Sequence, residues 1–194
     1  MQVYDSEGVY IRTFGERGTG DGQLKGPCGI AIDKDDGKLI VTDRDNHRVQ
    51  VFRSDGTFCF SFGGYGSGDG KFNSPRHVAL DSDNQILISD TNNHRVQCFD
   101  KQGKFISKFG HKGSDDGEFL CPSGVATDSE NKIVVADFKE CHIQIFSSQG
   151  VFLRKIGIEL GKPNGMFSKP TGLCVSSSGN ILLADRGTNK VHML

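Results

Sequence analysis

Four aspartates recur at one point of a repeating pattern: Asp43, Asp90, Asp137 and Asp185, separated by 47, 47 and 48 residues. Carboxylates serve both general acid–base catalysis and hard-cation binding. A catalytic group is used once, however, whereas a turn is used once in every repeat. Each aspartate closes an apolar run and precedes a polar turn, where its oxygens can accept backbone N–H groups. The four therefore read as turn-holding residues, with Asn46, Asn93, Arg48 and Arg95 just downstream as partners in the same hairpins.

Positions that differ between the repeats are better candidates for function, because the fold does not dictate them. One follows a recurring proline and holds Cys28, Arg76, Ser123 and Thr171; the other follows the aspartate and holds Arg44, Thr91, Phe138 and Arg186. Guanidinium forks, hydroxyls and an aromatic ring can hold a phosphate, a base or an acidic peptide. His77 stands where the other units have Gly29, Gly124 and Gly172, and adds an imidazole beside Arg76. The candidate partner-binding set is Arg44, Arg76, His77, Thr91, Phe138 and Arg186, with no catalytic residue. The adjacent pair Cys141-His142 has no second pair at ligand spacing, so no metal and no cofactor are expected.

The elements that position these residues follow from the repeat. Pro-x-Gly/His-aliphatic strings begin at Pro27, Pro75, Pro122 and Pro170; Phe/Ile-Gly recurs at Phe14, Phe62, Phe109 and Ile156; an apolar residue closing the next run recurs at Phe52, Phe99, Phe146 and Met193. Four markers in phase define a repeat of about 47 residues. The first full unit reads as four strands over 29–33, 38–43, 48–52 and 57–63, joined by Asp-Asp-Gly, Asp-Asn-His and Ser-Asp-Gly turns. A longer glycine-rich link leads to the next unit. Four antiparallel strands per repeat describe the blades of a β-propeller, in which each blade buries its faces against its neighbours. The expectation is an all-β chain of about four blades. Residues 1–25 form the end of a preceding blade and a link; 26–73, 74–120 and 121–168 form full repeats; 169–194 form a partial fourth. Residues 2–15 match third and fourth strands of a blade, and the last unit stops after its third strand. A four-bladed ring closed by strand exchange is one outcome, and an arc of a larger ring is the expected one.

Composition agrees with this architecture. The chain of 194 residues carries 26 glycines, no tryptophan and a formal net charge of −1. No apolar run approaches the ~20 residues of a bilayer-spanning helix, and a generally basic nucleic-acid binder is excluded. Sorted by face, the charges divide. The bottom turns are acid-rich (Asp35, Asp36, Asp55, Asp83, Glu130), while the top loops carry an excess of lysine and arginine. A mildly basic top suits an RNA or an acidic protein, with strong salt dependence in the RNA case. The six cysteines mostly occupy different repeat positions, with no Cys-x-x-Cys pair and no Asn-x-Ser/Thr sequon. That pattern predicts reduced thiols and a cytoplasmic setting.

The strings Asp43–Phe52 (DRDNHRVQVF) and Asp90–Phe99 (DTNNHRVQCF) resemble the NHL repeat, as do the Ser-Asp-Gly-Thr-Phe turn at Ser54 and the glycine-rich stretches after Phe14, Phe62 and Phe109. The resemblance spans essentially the whole chain, which is similar to the C-terminal domains of animal tripartite-motif (TRIM-NHL) proteins. It implies a six-bladed propeller that recruits protein or single-stranded or structured RNA through its top face, within proteins whose RING domain transfers ubiquitin. No small-molecule substrate is implied. The third unit departs from the pattern (Asp137-Phe-Lys-Glu-Cys-His-Ile), and the fourth carries Lys190 at the arginine position. Six units of this length need roughly 280 residues, and these 194 contain no RING, B-box or coiled coil, so ligase activity would belong to a parent protein. The competing expectation is a propeller enzyme, of lyase or lactonase type, with a metal in the central channel. Such a site needs carboxylate, histidine or asparagine ligands at the inner-strand entrances, which here offer Cys28, Arg76, Ser123 and Thr171.

Overall fold

The computed structural model describes residues 1–157 and 167–194. The link at 158–166, inside the unit expected at 121–168, lies outside the described residues. The chain is an all-β propeller. Three four-stranded antiparallel blades comprise β3 (Pro27–Ile32), β4 (Leu39–Asp43), β5 (Arg48–Phe52) and β6 (Phe58–Gly63); β7 (Pro75–Leu80), β8 (Ile86–Asp90), β9 (Arg95–Phe99) and β10 (Phe105–Phe109); and β11 (Pro122–Thr127), β12 (Ile133–Asp137), β13 (His142–Phe146) and β14 (Phe152–Gly157). A fourth blade has three strands, β15 (Pro170–Val175), β16 (Ile181–Asp185) and β17 (Lys190–Met193). A separate pair, β1 (Gln2–Tyr4) and β2 (Tyr10–Thr13), precedes them. Among the described residues β1 and β2 pair only with each other, so strand exchange does not close a four-bladed ring.

The blades form because each run of four strands is stitched by local turn chemistry, and they stay together because neither face is covered alone. β8 and β12 are buried along their whole length, the signature of strands packed on both faces. The burial of the inner strands shows the same cause. Val78 and Val125 are 3% and 1% exposed, while Ile30 and Ile32 of the first blade are 48% and 60% exposed. No inner strand covers that face of β3 among the described residues.

Phenylalanine pairs seal the first three blades to what precedes them, and Ile156 takes the corresponding place between the third and fourth. Phe62 of β6 lies 5.0 Å from Phe99, and Phe109 of β10 lies 4.7 Å from Phe146, centroid to centroid. Phe14, after β2, meets Phe52 at 5.3 Å in the same way. These rings explain the glycine of the Ser-Asp-Gly turn and its counterparts. A Cβ on Gly56, Gly103 or Gly150 would lie 2.7, 2.5 or 2.6 Å from Phe14, Phe62 or Phe109, and all three glycines have φ between 80° and 87°. The repeated glycine thus meets a turn requirement and a packing requirement at once.

Strand register corrects one marker. Leu39 pairs with Phe52 on the adjacent strand, and Ile181 pairs in the same way with Leu194, not Met193. The extra residue of the fourth unit precedes β16, so every later position shifts by one.

Candidate functional site

The repeated aspartates are buried in hydrogen bonds. Asp43 accepts from the Lys25 and Gly26 amides, Asn46 Nδ2, Arg48 Nε and Gln50 Nε2. Asp90 accepts from the Asn73 amide, Asn93 Nδ2, Arg95 Nε and Gln97 Nε2. The guanidiniums reach further, to the carbonyls of Gly20 and Gln23 in one blade and of Gly68 and Lys71 in the next. Each Asn-His-Arg string therefore clamps the preceding link onto its own hairpin. The histidine between them sits at positive φ, 54° for His47 and 57° for His94, as do Cys141 and Asn189 at the same point.

The third blade, without asparagine or arginine here, substitutes backbone. Asp137 accepts from the amides of Leu120, Cys121, Lys139 and Glu140. Asp185 does likewise with Ser168, Lys169 and Gly187, plus the Thr188 hydroxyl. Burial alone would raise the Asp185 pKa, but these donors together hold it down at about 2.

A second set of bonds crosses from blade to blade along the channel wall. Thr42 and Ser89 hydroxyls donate to the carbonyls of Arg76 and Ser123, each at 2.7 Å. They also accept from the amides of Gly29 and His77 within their own blades. Ala136 and Ala184 occupy the same place in the third and fourth blades, and Ser123 Oγ bridges to Pro170 O instead, at 2.9 Å. The inner strands approach closely enough that a Cβ on Gly124 would lie 2.5 Å from Thr171 O.

At the top end of this wall is a mouth of about 290 Å³, lined by Cys28, Arg44, Arg76, His77, Ser123, Thr171 and Gly172. Three of the expected residues, Arg44, Arg76 and His77, meet there. Arg76 lies over the Phe138 ring, 5.6 Å from its centroid, a cation–π contact that steadies the guanidinium. Arg76 has no ion-pair partner among the described residues. Arg44 is committed to Asp45, with Nε 2.7 Å and Nη2 3.3 Å from its oxygens. That bond raises the Arg44 pKa and lowers that of Asp45. His77 is half-buried, with Nδ1 3.1 Å from Val125 O, and burial lowers its pKa.

Two expected residues sit elsewhere. Thr91 is 4% exposed and its hydroxyl donates to Pro122 O at 2.7 Å, so it ties the second blade to the third and presents nothing to a partner. Arg186 is exposed on the β16–β17 turn, outside the lining of the mouth. Gly172 was not singled out from sequence, although its place beside Thr171 in the proline motif was the available signal. Among the described residues no three His, Cys, Asp or Glu side chains converge as a metal site would require.

Short antiparallel blades stacked around a channel, with non-repeated residues gathered at one mouth, define a repeat propeller with a candidate binding face. The NHL repeat pattern matches residues 24–52, 72–99, 119–146 and 167–192, more than half of the chain, and the chain belongs to the NHL-repeat family. Protein lin-41 of Caenorhabditis elegans is 55% identical over 40 residues, which cover 21% of this chain and 3% of that protein. The E3 ubiquitin-protein ligase TRIM71 of Rattus norvegicus is 43% identical over 47 residues, 24% of this chain and 5% of that protein. The chain thus aligns with only a small share of these relatives. Among solved structures, a streptogramin B lyase superposes with a TM-score of 0.67 at 16% identity, covering 88% of this chain and 52% of that one. A nidogen/laminin complex gives 0.66 at 20% identity, covering 87% and 60%. At these identities the likeness is one of fold alone. No helix among the described residues is long and apolar enough to cross a membrane.

Proposed function

We propose that this chain is a non-catalytic interaction module that binds a protein or RNA partner on its top face, as the recruiting propeller of a TRIM-NHL ubiquitin ligase would. The observation that carries this proposal is the mouth itself. The residues the repeat does not dictate, Arg44, Arg76 and His77, converge there with Phe138 beneath Arg76, whereas the repeated aspartates are spent on turns. The local identities to lin-41 and TRIM71 support the family assignment. In this proposal ubiquitin transfer and a cytoplasmic setting are properties of a longer parent protein.

The fold likeness to streptogramin lyases raises the alternative of a channel enzyme, but the mouth lining contains no carboxylate, which favours binding. The test is Arg76→Ala combined with Arg186→Glu. Partner binding should weaken while circular dichroism stays unchanged; unchanged affinity for every partner found by RNA crosslinking and by affinity mass spectrometry would refute a top-face role.

A further inference from the structure

We infer that the channel mouth is a receptor for one carboxylate-bearing side chain, Asp or Glu, of a protein partner; this rests on the top-face proposal and narrows it. Arg76 supplies the cation. Its guanidinium has no ion-pair partner among the described residues and lies over the Phe138 ring, 5.6 Å from the centroid. A guanidinium with no carboxylate of its own can fork onto one through two parallel bonds. The second cation of the mouth, Arg44, is already bound to Asp45 and contributes only through its field.

The hydroxyls of the mouth are spent as donors. Ser123 Oγ shares its one proton between Pro170 O at 2.9 Å and Ala136 O at 3.1 Å, and Thr171 Oγ1 donates to Ala184 O. The Gly29 and His77 amides are satisfied by Thr42 and Ser89. Gly172 lines the same mouth. One free guanidinium matches a single planar anion.

Size and charge layout favour an acidic side chain over nucleic acid. About 290 Å³ lies just below the roughly 300–1,000 Å³ of sites that enclose small ligands, and suits a side chain inserted from above. A nucleic-acid strand presents a charge at every nucleotide and draws on a row of cations, whereas this mouth has a single uncommitted one. Cys28, Thr171 and Gly172 give small walls that leave Arg76 accessible.

The test pans a phage-displayed library of random dodecapeptides on the full chain, with a random RNA pool selected in parallel. Enriched peptides should carry one invariant Asp or Glu. By titration calorimetry, replacing that residue by its amide, or Arg76 by Ala, should each weaken binding at least tenfold. The two changes together should weaken it no more than either alone, because they remove the same contact. Arg76→Lys should recover part of the affinity, and unchanged thermal unfolding of both variants excludes a folding defect. The inference is overturned if no peptide is enriched, if the enriched peptides lack a fixed acid, if Arg76→Ala binds them unchanged, or if only RNA is enriched. Arg186→Glu separates the two levels. Loss of binding there without loss in Arg76→Ala refutes the carboxylate receptor and leaves the top face; loss in neither refutes both.

Discussion

Removing the Arg95 guanidinium should loosen the second blade more than any surface change of equal size. Arg95 is 6% exposed; its Nε lies 2.8 Å from Asp90 Oδ2, and its Nη2 lies 2.8 Å from both Gly68 O and Lys71 O. In Arg95→Ala the Asp90 carboxylate, fully buried, keeps its bonds from Asn73, Asn93 and Gln97 but loses its countercharge. Breaking one side of a buried pair costs about 3–5 kcal/mol. At roughly 2–4 °C per kcal/mol for a chain of this length, the melting temperature should fall by roughly 6–20 °C. Because repeats respond locally, hydrogen exchange should quicken first in the link at 64–72. His142 stands at the same point of the third blade, where Asp137 is held by four backbone amides and His142 Nε2 has no hydrogen-bond partner. His142→Ala should therefore cost well under half as much, by the same calorimetric and exchange measurements. A loss below about 1 kcal/mol in Arg95→Ala, or a larger loss in His142→Ala, would refute the clamp as the source of stability.

Three further outcomes are expected. Gly124→Ala should destabilise by about 1–3 kcal/mol through overpacking against Thr171 O, while Gly172→Ala, with nothing within 4 Å of its Cβ, should stay within about 0.5 kcal/mol in urea titrations. Asp185, held at about 2 against a usual 3.8, contributes about 2 kcal/mol that is fully present above pH 3.8 and is lost as the pH falls through 2; stability of Asp185→Asn should vary less than wild type between pH 4 and 2. In native protein at pH 8, iodoacetamide with mass mapping should label exposed Cys28 and Cys174 and spare Cys98, which is buried with its pKa pushed up to about 11.

Much of the fold was legible because its causes are local. The turn glycines (Gly8, Gly56, Gly103 and Gly150), the aspartates that close second strands and the Phe/Ile-Gly pairs each act within one unit, so repetition displayed them four times over. The register slip at Leu194 came from counting across the extra residue of the fourth unit, which strand pairing resolves and spacing does not. The site was legible in outline. Looking where the repeats disagree led to Arg44, Arg76 and Phe138, and equally to Thr91, whose hydroxyl turned out to serve the next blade.

The sequence by itself determined the blade, its strand order, its turns and the structural use of the repeated aspartates, since these depend on contacts within about 47 residues. Only the tertiary structure decided which non-repeated residues share a surface. Cys28, Arg76, Ser123 and Thr171 lie 47 or 48 residues apart in sequence and meet at one mouth because stacking brings each inner strand to the same channel. The same stacking hides Thr91 under Pro122 and Ser123 against Pro170. A residue's own repeat sets its backbone, but the neighbouring blade sets whether its side chain is spent or free.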